Sequence, residues 1–166
     1  MSKIDAYDML TTPFEIGVRW LRNDRSSEGR LPFYATAGAA GMDLMACLDE
    51  PVILQPFERA LIPTGLALLM PGPHVVALVF ARSGQAYKRG LAMANGVGVI
   101  DSDYTGELKV LVINQNPQTA LKIVDGERIA QVLFMPVYRV KPVWVDEVPE
   151  TERGEGGFGS TGFHMP

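Results

Sequence analysis

Twelve prolines and seventeen glycines punctuate the 166 residues of this chain. Each residue type stops or weakens a helix where it falls, so long helices have no room. What lies between the interruptions is short and apolar. In EIGVRWLR (Glu15 to Arg22), Ile16, Val18 and Trp20 share one face of an extended strand. MDLMACL (Met42 to Leu48) reads as a short strand stopped by Glu50-Pro51. ERALIPTGLALLM carries Pro63 and Gly65, which predict a strand, a bend and a second strand. HVVALVFA is a continuous apolar run of the kind buried on both faces. GVGVI and ELKVLVIN are strands joined through DSDYTG, read as a hairpin-like turn. ALKIV, RIAQVLFMPVY and KPVWVDEV complete the series. The one helix expected is SGQAYKRG, about two turns after Arg82.

Many short strands at close spacing predict an all-β sandwich, jelly roll or barrel. Apolar residues make up 47% of the chain, enough for the core of one domain. The expected division is an N-terminal extension (1–14), one strand-rich domain (15–145) and a glycine-rich C-terminal segment (146–166).

A net charge of -4 argues against a general nucleic-acid binder. It leaves open a small polyanionic ligand, which a few arginines or a metal can hold. The single cysteine, Cys47, excludes a disulfide framework and a Cys-rich zinc site, and reads as a small buried hydrophobe. No apolar run approaches the roughly 20 residues of a membrane span. MSKIDAYDML lacks the apolar stretch of a secretory signal. The expectation is a cytoplasmic protein with no membrane partner.

Four stretches could carry chemistry. RGEGGFGSTG (Arg153 to Gly162) spells G-x-G-x-x-G, yet lacks the preceding strand and following helix of a dinucleotide site. It is either a plain glycine tail or a segment that orders over a ligand. In the second case backbone N–H groups meet phosphate, Arg153 adds charge and Phe158 a flat apolar face. ARSGQA (Ala81 to Ala86) ends a strand and opens the helix, with Ser83 expected at the N-cap. It reads as an anion site or as a simple cap beside a surface Arg82. In ANGVGVIDSDYTGE (Ala94 to Glu107), Asn95-Gly96 is a turn able to face a flat base, and Asp101 closes an apolar run. Asp101 there is a candidate to activate water, and Tyr104 is placed to pack on a sugar. Asp101, Ser102 and Asp103 are equally good turn formers. In GERIAQVLF (Gly126 to Phe134), strict alternation puts Gln131 on the face of Ile129, where its amide needs a partner. His74 and His164 read as surface residues.

In order, AGMDL, ARSGQA, NGVGVIDSDYTGE, GERIAQ and RGEGGFGSTG resemble the five motifs of the trimeric deoxyuridine triphosphate nucleotidohydrolases, the dUTPases. The likeness runs from about Thr36 to Gly162. It implies an all-β jelly roll, barrel-like, with one short helix and a flexible C-terminal tail. It further implies a homotrimer with active sites at subunit interfaces. The implied reaction is hydrolysis of dUTP to dUMP and pyrophosphate with Mg²⁺, limiting uracil in DNA and supplying dUMP for thymidylate synthesis.

By the same resemblance, Asp101 is the base for water attack on the α-phosphorus. Asn95 and the backbone of Gly98, Val99 and Ile100 read uracil, and Tyr104 packs on deoxyribose. Arg82, Ser83, Gly84 and Gln131 hold phosphates. Asp43 supports the metal through its waters, with no direct protein ligand implied. Arg153 reaches the γ-phosphate, Phe158 covers uracil, and Gly159, Ser160 and Thr161 complete the tail contacts. Met42, Ala81 and Gln85 depart from the residues common in the motifs; none of these changes removes a reactive group. The related dCTP deaminases carry a glutamate where this chain has Leu111, so deamination lacks its base. A regulatory nucleotide-binding protein of the same fold is the other alternative; the presence of Asp101, Gln131 and the whole tail counts against it.

Overall fold

The structure is a computed structural model and describes residues 15–158 and 160. Twelve strands and one helix follow the punctuation of the sequence. They are β1 (Gly17–Trp20), β2 (Phe33–Tyr34), β3 (Met42–Met45), β4 (Val52–Leu54), β5 (Arg59–Pro63), β6 (Leu66–Leu69) and β7 (Val75–Ala81). Then come α1 (Ser83–Arg89), β8 (Leu91–Met93), β9 (Gly98–Ile100), β10 (Lys109–Asn114), β11 (Leu121–Ile123) and β12 (Arg128–Pro136).

All pairings are antiparallel. The largest sheet has the order β2-β3-β12-β7-β9, and a second has the order β5-β10-β8. β1 pairs with β6 and β4 with β11 as separate ribbons. Val79 of β7, Ile129 and Val132 of β12, Ile62 of β5 and Val110 and Val112 of β10 meet in one buried cluster. The two main sheets therefore face each other across a common core, in the manner of a jelly roll rather than a closed barrel. The alternation in β1 holds, with Ile16, Val18 and Trp20 packed against the core. Gly65 has φ +72, and a Cβ there would lie 2.6 Å from the Trp20 ring, so the bend between β5 and β6 accepts no side chain.

Buried polar groups are few and matched. Asn114 is fully buried; its amide donates to Leu54 O (3.0 Å) and Thr119 O (2.9 Å) and accepts from Asn116 N–H (2.9 Å). Thr64 Oγ1 donates to Leu108 O at 2.6 Å. Cys47 is buried and free, as read. On the surface, Arg22, Arg25 and Arg30 interlace with Asp24, Asp49 and Asp125, clipping the β1–β2 connection to the ends of β3 and β11. Burial pushes the Asp125 carboxyl up, but Arg30 and the Leu48 N–H outweigh it and hold it below its ordinary value. Arg22 holds Asp24 well below the usual carboxylate range.

Two expected elements differ. DSDYTG does not close a hairpin: β9 pairs with β7 and β10 with β5 and β8, so this turn carries the chain from one sheet to the other. KPVWVDEV forms no strand; Val143, Trp144, Val145 and Val148 are all exposed. Alternation alone cannot make a strand without a neighbour to pair with. The expected N-terminal extension (1–14) lies outside the described residues. No helix among the described residues is long and apolar enough to cross a membrane.

Candidate active site

The far end of β7 delivers Ala81 and then Arg82 to the start of α1. Arg82, not Ser83, is the N-cap residue; it is extended (φ -85, ψ 129) and makes no side-chain cap bond. Its guanidinium is drawn elsewhere: Nε meets Asp43 Oδ1 at 2.7 Å. Ser83 thus becomes the first helical residue, with its side chain exposed. The opening N–H groups of α1 have no acceptor within the helix.

Asp43 and Gln131 are direct cross-strand partners in β3 and β12, so they share a face of the sheet. Strict alternation had placed Gln131 with Ile129. The register instead shifts between Arg128 and Ala130, a β-bulge at Ile129. The extra residue lets Ile129, Ala130 and Val132 all enter the core while Gln131 turns to the opposite face. Gln131 Nε2 donates to Ala81 O at 3.0 Å. Its Oε1 occupies space beside Gly41, where a Cβ would lie 2.8 Å away.

Arg82, Ser83, Gly84, Asp43 and Gln131 line one open pocket of about 550 Å³, joined by Gly41, Gln85, Lys88 and Arg89. Among the described residues Asp43 is the only carboxylate lining it, against the three cations Arg82, Lys88 and Arg89, which suits a polyanion. Asp43 is 6% exposed, and Arg128 Nη1 meets its second oxygen at 3.0 Å. Gln85 Nε2 donates to Glu127 Oε1 (3.1 Å) and Arg128 O (3.0 Å), and Arg89 pairs with Glu127. Sequence reasoning missed Lys88, Arg89 and Arg128. The two α1 residues lie just beyond the ARSGQA motif and reach the open pocket only through the course of the helix; Arg128 lies inside GERIAQ, where spacing alone gives its charge no partner.

The stretch from Asn95 to Glu107 forms a separate surface. Asn95 and Gly96 are exposed in a turn, and Gly98 is buried against Val79. Val99, Ile100, Asp101 and Tyr104 line a cleft of about 270 Å³ with Leu61, Glu107 and Lys109. Asp101 follows β9 and is exposed. Among the described residues no donor engages its carboxylate, while its carbonyl accepts from Tyr104 N–H at 3.1 Å. Tyr104 Oη donates to Glu107 O at 3.0 Å, fixing the ring at the rim.

The two surfaces sit at opposite ends of β7. Ile100 pairs with Ala77, so Asp101 falls beside Val76, whereas Arg82 follows Ala81. Six residues of strand at about 3.3 Å each separate them by roughly 20 Å. The described tail residues line neither surface: Arg153 Nε donates to Gly156 O at 3.0 Å, Ser160 N–H to Gly157 O at 3.0 Å, and Phe158 is fully exposed. Gly159 and Thr161 lie outside the described residues.

Residues 27–162 match the family model described as dUTPase. A deoxyuridine 5'-triphosphate nucleotidohydrolase of Desulfitobacterium hafniense (strain DSM 10664 / DCB-2) is 51% identical over 148 residues, covering 89% of this chain and 96% of its own. One from Burkholderia cenocepacia (strain HI2424) is 52% identical over 134 residues, covering 81% and 90%. Among solved structures, the Staphylococcus bacteriophage 80alpha dUTPase with dUPNHPP superposes with a TM-score of 0.77 at 29% identity, covering 90% of this chain and 99% of that one. A variant dUTPase from phage phi11 of S. aureus, described for its coordination of a structural Mg(II) ion, gives 0.70 at 25% identity, covering 82% and 100%.

Proposed function

Because this chain belongs to the dUTPase family, we infer that it is a dUTP diphosphatase, hydrolysing dUTP to dUMP and pyrophosphate. The observation that carries the site assignment is the convergence of Arg82, Ser83, Gly84, Gln131 and Asp43 on one cationic pocket. In this reading the pocket takes the phosphates. Arg82 supplies charge, Ser83 and Gly84 their N–H groups, and Gln131 an amide whose orientation is fixed by Ala81 O. Asn95 with the backbone of Gly98, Val99 and Ile100 reads the uracil edge. Tyr104, tethered at the rim, packs on the deoxyribose and leaves no room for a 2′-hydroxyl.

Asp101 acts as general base. It takes a proton from a water whose oxygen attacks the α-phosphorus; the bond from that phosphorus to the bridging oxygen breaks and pyrophosphate departs with the electron pair. An unengaged, exposed carboxylate supports this role, since a carboxylate neutralised by an ion pair is a poorer base. The fold positions the group: β9 holds Asp101 at the sheet edge and the 101–104 turn holds Tyr104 beside it.

The family is metal-dependent, and the donors here suit Mg²⁺ carried by the substrate. Among the described residues no three His, Cys, Asp or Glu side chains converge on a metal position. The pocket's one carboxylate, Asp43, is engaged by two arginines. Bound with the triphosphate, Mg²⁺ would neutralise phosphate charge and keep waters of its own, and Asp43 would support the metal through those waters.

Arg82 and Asp101 are too far apart in one chain to meet one triphosphate. We therefore assign the active site to the interface of a homotrimer, with the phosphate pocket from one copy and Asp101 from another. The exposed apolar run Val143, Trp144, Val145 and Val148 supports such assembly, being surface of the kind that subunits cover. The segment from 146 onward, with Arg153, Phe158, Gly159, Ser160 and Thr161, acts as a lid that orders over bound nucleotide on a neighbouring copy. Its glycines lose so much freedom on ordering that closure waits for ligand. The single free cysteine suits a reducing compartment, and we place the enzyme in the cytoplasm.

Pyrophosphate release with Mg²⁺ from dUTP, dCTP, dTTP and UTP in parallel tests this reading. Turnover of dUTP far above the other three is expected; equal rates on UTP would remove the role given to Tyr104. No observation favours deamination, since Leu111 pairs with Leu61 and carries no base.

A further inference from the structure

We propose that Arg128 is a positioning residue for dUTP hydrolysis, holding Arg82 in the pose that meets the triphosphate. The inference rests on the phosphate-binding role given to Arg82. Arg128 does not line the phosphate pocket. It closes a ring behind it. Arg82 Nε meets Asp43 Oδ1 at 2.7 Å, Arg82 Nη1 donates to Arg128 O at 3.3 Å, and Arg128 Nη1 donates to Asp43 Oδ2 at 3.0 Å. Three elements contribute one member each: β3, the β7–α1 junction and the start of β12.

The bulge at Ile129 makes the ring possible. Ladder pairing between β12 and β7 begins at Ala130 and Ala81, so Arg128 lies beyond it. Its carbonyl is free of the ladder on that side and accepts from both Arg82 and Gln85. Its side chain reaches Asp43, whose own strand partner is Gln131.

The ring decides what Arg82 can offer a ligand. Asp43 is almost fully buried, and a buried carboxylate oxygen left without a donor is costly. With Arg128 on Oδ2, Arg82 satisfies Oδ1 through Nε and is held by the Arg128 carbonyl. Without Arg128, the favoured repair is a bidentate pair in which Arg82 takes both Asp43 oxygens. Its guanidinium would then be turned from the pocket toward Asp43, and a triphosphate would have to break that pair to bind.

The test compares R128M, R128K and wild type in the assembled enzyme, measuring kcat, KM for dUTP, and the affinities of a non-hydrolysable α,β-imido analogue of dUTP and of 2′-deoxyuridine. R128M should raise KM and the analogue Kd about tenfold, the scale of one lost charge-assisted hydrogen bond. Its kcat should change less, and deoxyuridine binding should be unaltered. R128K, which keeps a cation beside Oδ2, should recover most of the loss. Unchanged analogue affinity in R128M would overturn the proposal, as would an equal loss for analogue and deoxyuridine, which marks general damage. If R128M does not fold, R128K against R128Q gives the same contrast between charged and uncharged donors. R82Q separates the two layers: if it too binds the analogue normally, the phosphate role of Arg82 fails and the ring with it. An affected R82Q beside an unaffected R128M overturns the positioning role alone.

Discussion

Asp101 and Arg82 stand at opposite ends of β7, one beside Val76 at the start of the strand and the other just after Ala81 at its end. The two groups to which we assign base and phosphate-binding roles thus flank one strand but do not share a surface. Each lies on its own surface, and in the proposed trimer a second copy of the chain brings them to one nucleotide.

Asp101→Asn keeps the shape of the β9 end and removes the base. Its kcat for dUTP should fall by about 10²–10⁴-fold while substrate affinity stays near wild type. Steady-state turnover together with analogue binding checks this; near-normal turnover would take the base role from Asp101.

Gly41→Ala tests the packing behind Gln131. The new Cβ would lie 2.8 Å from Gln131 Oε1 and 3.0 Å from Leu133 Cδ1. Gln131 must move, and its bond to Ala81 O is lost or bent. The variant should be less stable by about 1–3 kcal/mol and show a raised KM. Thermal melts and kinetics read both; an unchanged KM would show that the pose of Gln131 does not matter to the phosphates.

Removing the chain from Arg153 onward should leave the melting temperature nearly unchanged, because Arg153 and Phe158 are exposed and belong to no core cluster. Turnover should drop sharply. Loss of the folded state on truncation would assign these residues to structure instead of the lid.

Acid should loosen the Arg–Asp clip. Asp125 and Asp24 have folded-state values below their ordinary ones. Their contribution is therefore fully present above about pH 4, the unfolded range, and is lost as pH falls through the lowered values. In Asp125→Asn the acid limb of a stability–pH curve should be shallower than in wild type. Urea midpoints measured from pH 3 to 7 would show it, and parallel curves would exclude Asp125 as a source.

Much of this could be read in advance from periodicity. Ile16, Val18 and Trp20 face the core as their spacing required, and α1 begins directly after Arg82. Gln131 shows where such reading ends. One bulged residue inverts a strand's faces, and nothing in GERIAQ announces the bulge, which is set by packing Ile129 and Ala130 into the same core. Ser83 is displaced from the N-cap by a similar long-range influence: cap preference is a local force of about 1 kcal/mol, while Arg82 at that position is tied to the buried Asp43 of β3. KPVWVDEV has the alternation of a strand, but its partner strand is not found within the described chain.

The interfacial site is tested most directly by complementation. Asp101→Asn and Arg82→Gln chains, each nearly inactive alone, are unfolded, mixed in equal amounts and refolded together. If Asp101 and Arg82 of one site come from different copies, random assortment gives about a quarter of sites with both native groups, and dUTP turnover should return to about that fraction of wild type. Mixed assemblies that stay as inactive as either parent would contradict the account, because they would place both groups of each site in a single chain.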